Sequence, residues 1–147
     1  MHILDNPLIM REIIMDHYKR PLYKKTPENP DRFIQIHMDS PNCIDDITIF
    51  ILIDCGIVSE VWFDGVSCAI STASTDIMAD MMRGKTLDEA AKLIDNYLNM
   101  LFERSFDADL LGEAIVFINT SKQVSRIKCA TIGWDGFKKG ISEYKDE

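Results

Sequence analysis

The spacing of hydrophobic positions changes period along the chain, and the changes mark out elements. Near the start, Met10, Ile13, Ile14, His17 and Tyr18 fall on one face of a helix predicted from Asn6 to Lys19. Asn6 is a capping residue, Pro7 suits the first helical position, and Pro21 stops the helix. Thr26–Pro30 reads as a loop with prolines at both 27 and 30. From Phe33 the period moves toward two. Phe33–Met38, Ile47–Asp54 and Ile57–Phe63 are rich in β-branched and apolar residues and predict strands. Asp54-Cys55-Gly56 supplies a short turn between the last two, and Asp64-Gly65 ends the third.

The remainder reads as helical. Cys68–Arg83 carries Ile70, Ala73, Ile77 and Met81 on one side, and Gly84 closes it. Thr86-Leu87-Asp88-Glu89 has the form of a capping box. It opens a helix with Leu87, Ala90, Ala91, Ile94, Leu98 and Leu101 at helical spacing. Ser105–Ser125 has no clear period; a short helix over Asp109–Ile118 is the expectation there. The last helix is predicted from about Cys129, with Ala130, Trp134, Phe137, Ile141 and Tyr144 in one stripe. Gly133, Gly136 and Gly140 weaken it, each by ~1 kcal/mol relative to Ala. Strands first and helices after predict an α+β fold, a three-stranded mostly antiparallel sheet with helices packed on one face.

At 147 residues the chain suits one domain, expected over 1–147, with a sizeable core. A hydrophobic fraction of 46% against 27% charged residues argues against intrinsic disorder. The longest uncharged apolar stretch, Ile47–Ile53, is far below the ~18 residues of a membrane helix. Lys and Arg number 16 against 24 Asp and Glu, a net charge of −8, so neither nucleic acid nor an anionic membrane is an expected partner. Basic residues do gather at Lys19, Arg20, Lys24 and Lys25, and at Arg126, Lys128, Lys138 and Lys139. Such clusters are either solvated faces or a cationic patch beside an anionic site.

Of the four cysteines, none forms a C-x-x-C pair, which disfavours a zinc ribbon or finger. No apolar leader is visible at the N-terminus, so a cytoplasmic location with reduced thiols is expected. Cys43 sits in the polar loop Ser40–Asp46, while Cys68 and Cys129 fall where helices are predicted to begin. A helix N-terminus favours a thiolate. Cys55 lies in a hairpin turn and carries no predicted role. The other three are either small apolar fillers or, with a carboxylate such as Asp45, ligands to zinc or an iron–sulfur cluster. Their spacing alone does not show that they converge.

Three segments decide more: Pro41-Asn42-Cys43-Ile44-Asp45, Phe63–Ser74 around Cys68, and Arg126-Ile127-Lys128-Cys129-Ala130-Thr131. Together with Ile14–Pro21 they resemble, in order and spacing, the motifs of the IscU/NifU N-terminal iron–sulfur cluster assembly family. Lys128 stands where IscU proper has a His before the third Cys, and the stretch between the second and third motifs is long. Both features are similar to the SufU branch. Ile44 and Ser67 stand where the family usually has glycines. The resemblance implies zinc held by Cys43, Asp45, Cys68 and Cys129, with Cys43 as the thiol that accepts persulfide sulfur. It implies a sulfurtransferase-type carrier working with a PLP-dependent, SufS-like cysteine desulfurase and a downstream iron–sulfur scaffold. Arg126 is a candidate for a charge role toward the partner. The alternative implied by the same family is a scaffold that assembles a [2Fe–2S] cluster on those ligands.

Overall fold

The structure is a computed structural model that describes residues 6–41 and 44–145; Cys43, a central residue of the sequence reading, lies outside the described residues. Helix α1 spans Pro7–Lys19, with the Asn6 side chain accepting from the N–H groups of Leu8 and Ile9. Strands β1 (Ile34–Asp39), β2 (Asp46–Asp54) and β3 (Ile57–Val66) follow, each antiparallel to the next in the order β1-β2-β3. Helices α2 (Ala69–Met82), α3 (Leu87–Leu101) and α4 (Val124–Lys145) complete the α+β arrangement. The inward face of β2 presents Ile47, Ile49 and Ile51, all essentially without exposure, to the helical layer. The predicted capping box is present, since Thr86 Oγ1 accepts from the Glu89 N–H and Glu89 accepts from the Thr86 N–H.

The turn between β2 and β3 places Cys55 at φ 54° and Gly56 at φ 75°. Two left-handed residues in succession are what a tight hairpin of this twist demands. Beyond it, β3 continues through Asp64-Gly65 to Val66 rather than ending there. Gly65 makes this continuation possible, because a Cβ on it would stand 2.3 Å from the Asp46 carbonyl oxygen.

Two further sequence expectations are corrected. Ser105–Ser125 holds 3₁₀ helices at Ala108–Leu110 and Gly112–Lys122 in place of a short α-helix over Asp109–Ile118. The β-branched Ile115, Val116, Ile118 and Thr120 disfavour a regular α-helix there. Helix α4 begins at Val124, not at Cys129, so Cys129 lies in the helix body. The glycines that weaken α4 in isolation have a packing reason. A Cβ at Gly133 would lie 2.4 Å from Thr75 Oγ1 on α2, and one at Gly136 would lie 2.5 Å from Ile49 Cδ1 on β2. The stripe therefore lets α4 close onto both α2 and the sheet.

Helix α1 is fastened through a charged cluster. His17 Nδ1 pairs with Asp76 Oδ2 at 2.6 Å, and its Nε2 pairs with Glu113 of the Gly112–Lys122 segment. Asp76 has no exposure and also accepts from the Tyr23 N–H at 2.8 Å. The hydrogen bond to Asp76, aided by Glu113 and opposed by burial, raises the His17 pKa from 6.5 to about 9. A histidine so shifted stabilises the fold fully below pH 6.5, progressively less as the pH rises, and no longer above about 9. The whole effect is on the order of 3 kcal/mol. Urea unfolding at pH 6 and pH 9.5 is expected to show that loss in the parent. In His17→Gln the difference between the two pH values should be smaller by about that amount.

Candidate metal centre

The loop entering β2, the start of α2 and the second turn of α4 meet at one end of the sheet. Asp45 sits one residue before β2 and is 2% exposed. Cys68 is the N-cap of α2, where its extended backbone leaves the thiol at the helix mouth. Cys129 projects from α4 and is 6% exposed. One carboxylate oxygen of Asp45 and the two sulfurs all lie within 4.8 Å of one another. Residues separated by 23 and by a further 61 positions along the chain are thus brought together by three different elements.

Hydrogen bonds hold the group in place. The Cys68 N–H donates to Asp45 Oδ1 at 2.9 Å, and the Ser71 hydroxyl donates to Asp45 Oδ2 at 2.5 Å. The Ser71 N–H donates to Cys68 Sγ at 3.4 Å. A buried carboxylate is tolerated here because it accepts two hydrogen bonds at the positive end of α2. Ser71 is a contributor that sequence reasoning did not single out. The signal available was its place three residues after Cys68, within the polar run Ser71–Asp76 that the fold buries almost entirely. Ser67, standing where the resembled family has glycine, brings its hydroxyl to 2.6 Å from that of Thr72 and so ties the turn to α2.

The donor set suits zinc. Tetrahedral zinc, with bonds of ~2.3 Å to sulfur and ~2.0–2.2 Å to carboxylate oxygen, separates its donor atoms by about 3.5–3.8 Å. The donor atoms of Asp45, Cys68 and Cys129, all within 4.8 Å of one another, stand near that spacing. A fourth donor is needed, and Cys43, two residues before Asp45 in the sequence, lies outside the described residues.

Around this centre, Arg126 and Lys128 are exposed on the first turns of α4. Ile44, next to Asp45 in the chain, is 64% exposed. A cleft of about 430 Å³ opens between the end of β1 and the first turns of α4, with Ser40, Pro41, Phe102, Ile127, Lys128 and Thr131 in its lining. Cys55 lies apart, exposed in the β2–β3 turn, where the neighbouring Asp54 carboxylate pushes its thiol pKa up. No helix among the described residues is long and apolar enough to cross a membrane.

Comparison with known proteins agrees with this architecture. The chain is 32% identical over 136 residues to the zinc-dependent sulfurtransferase SufU of Bacillus subtilis, covering 92% of this chain and 90% of that one. It is 32% identical over 130 residues to the iron–sulfur cluster assembly scaffold protein IscU of Streptococcus pyogenes, covering 88% and 80%. The crystal structure of FiSufU, a SUF-system protein of Fervidobacterium islandicum AW-1, superposes with a TM-score of 0.82 at 32% identity, covering 88% of this chain and 94% of that one. The NifU-like N terminal domain model matches residues 9–147. The chain therefore belongs to the NifU-like N-terminal domain family of iron–sulfur cluster assembly proteins, as a SufU-type member.

Proposed function

We propose that this protein is a zinc-dependent sulfur acceptor for a PLP-dependent cysteine desulfurase in iron–sulfur cluster assembly. The observation that carries the reading is the convergence of Asp45, Cys68 and Cys129, each supplied by one of the three sequence motifs. Full-length similarity to a protein named as a zinc-dependent sulfurtransferase supports it. Cys43 is the fourth ligand and the acceptor thiol.

Zinc, when bound, holds its thiolate ligands deprotonated and in place. The chain's own residues do the rest. Asp45 is the hard oxygen donor among soft sulfurs and so the natural position for ligand exchange. Ser71 and the Cys68 N–H keep its carboxylate aimed at the two sulfurs. The Cys43 thiolate attacks the terminal sulfur of the desulfurase's cysteine persulfide. The enzyme's S–S bond breaks and its cysteine leaves as a thiolate. A new S–S bond forms on Cys43, with no net oxidation or reduction. The open cleft lined by Pro41 and by Lys128, the residue before Cys129, gives a partner's side chain an approach to this end of the sheet. Arg126 supplies exposed positive charge three residues before Cys129 and so favours the encounter with a persulfide-bearing partner.

Elemental analysis of protein purified without reconstitution tests the ligand set. About one zinc per chain is expected, lost in Cys68→Ser and Cys129→Ser and retained in full by Cys55→Ser. Unchanged zinc in both of the first two variants would refute the site. An iron–sulfur chromophore in place of zinc would favour the cluster-scaffold role that the IscU of Streptococcus pyogenes is named for.

A further inference from the structure

One residue beyond Cys129, the main chain is gripped by a buried polar cluster that the sulfur chemistry does not use. The Ala130 carbonyl accepts from the Ser74 hydroxyl of α2 at 2.6 Å and from the Tyr97 hydroxyl of α3 at 2.8 Å. Ser74 in turn accepts from the indole N–H of Trp134 at 3.0 Å. Trp134 stacks on Tyr97 with ring centroids 3.9 Å apart and planes 10° from parallel. Ser74, Tyr97, Ala130 and Trp134 all have no exposure.

The Ser74 and Tyr97 hydroxyls also stand 3.1 Å apart, so every polar atom of the cluster has a partner within it. Burial pushes the Tyr97 pKa far up, so it remains a phenol and a donor. Apolar side chains of similar shape would stabilise this interface about as well, because a net hydrogen bond adds little once desolvation is counted. A satisfied polar network, in contrast, specifies a single position. The position specified here is that of α4 relative to α2. Ser74 lies on the helix that Cys68 caps, and Ala130 adjoins Cys129 on the helix that carries it. Gly133 permits the close approach, since any Cβ there would strike Thr75 one residue after Ser74.

We infer that Ser74 and Tyr97 are positioning residues for the metal centre, holding the Cys129 thiol at bonding distance from a metal shared with Cys68. The inference rests on the zinc site proposed above. Residues that orient metal ligands through hydrogen bonds typically govern affinity by roughly 10- to 100-fold. A purely structural role would instead lower stability and leave the loaded site unchanged.

The test uses the full chain, with Co²⁺ as a spectroscopic probe and Zn²⁺ affinity measured by chelator competition. Tyr97→Phe removes one hydroxyl and keeps the ring stack. It is expected to weaken Zn²⁺ binding about tenfold and to alter the cobalt d–d bands that report tetrahedral geometry. Ser74→Ala is expected to do the same or more. Val58→Ala, a core truncation in β3 opposite Ile53, at the end of the sheet away from Asp45, is the control. It should lower the melting temperature while leaving affinity and spectrum unchanged. Parent-like affinity and spectrum in both Tyr97→Phe and Ser74→Ala would overturn the inference and leave the zinc site standing. Absence of thiolate-to-cobalt charge transfer in the parent would overturn the zinc site as well.

Discussion

Replacing Cys43 by Ser is expected to abolish sulfur acceptance. With a cognate cysteine desulfurase and cysteine, the parent should raise alanine production and acquire a label specific for persulfide. Cys43→Ser should leave alanine production at the level of the desulfurase alone and carry no label. The physical reason is the difference between a thiolate and a hydroxyl. A thiol near its pKa supplies a competent nucleophile for a sulfur–sulfur bond, whereas a serine hydroxyl stays protonated and does not exchange. Cys68 and Cys129 are poor substitutes because each is anchored to a helix, one as a cap and one in a helix body. Asp45→Ala provides the contrast, since it removes a ligand and keeps the acceptor thiol. It should retain measurable labelling with water in the vacated position. Arg126→Ala should keep the label and slow its acquisition, with a reduced dependence on ionic strength. A Cys43→Ser protein that stimulates the desulfurase and carries sulfur like the parent would show the acceptor assignment to be wrong.

How much of this was readable before the fold was known differs by element. The sheet was legible because Phe33–Met38, Ile47–Asp54 and Ile57–Phe63 are rich in β-branched and apolar residues and because a turn segment separates β2 from β3. Helix α3 was legible because its cap is written in local residues, Thr86 and Glu89. The start of α4 was not, since its first turn is exposed and offers no apolar stripe to count; Val124 is 82% exposed. The Gly112–Lys122 segment was obscured because its 3₁₀ geometry has a three-residue repeat while its β-branched residues suggest a strand. At the site, motif resemblance picked out Asp45, Cys68 and Cys129, but their meeting depends on tertiary packing. It requires α4 to lie close on α2, and the glycine that allows this reads, in isolation, as a defect in a helix. The bond from Ser71 to Asp45 and the cluster at Ala130 were silent for the same reason, as the partners lie far apart in sequence.

Removing zinc is expected to lower the melting temperature by roughly 8–16 °C without abolishing cooperative unfolding. Ligand that binds only the folded state stabilises it by mass action, and occupancy at a thousand times the dissociation constant contributes ~4 kcal/mol. For a chain of 147 residues each kcal/mol moves the midpoint by about 2–4 °C. A zinc finger behaves differently, because it has little core without its metal. Here the core beneath the centre runs from Ile47, Ile49 and Ile51 through Ala73 and Ile77 to Trp134 and Phe137, and none of those contacts involves the metal. Asp45 also keeps two protein hydrogen bonds, to the Cys68 N–H and the Ser71 hydroxyl, so the metal-free site does not strand an unpaired carboxylate. The measurement is a melting curve before and after treatment with chelator, with zinc loss verified by elemental analysis and reversed by adding zinc back. The increment should be missing in Cys129→Ser, whose curve should not respond to chelator. An unchanged midpoint in verified zinc-free parent would show that the centre is not linked to folding. Loss of all cooperative unfolding would show that the sheet and helices depend on the metal, contrary to the core described above.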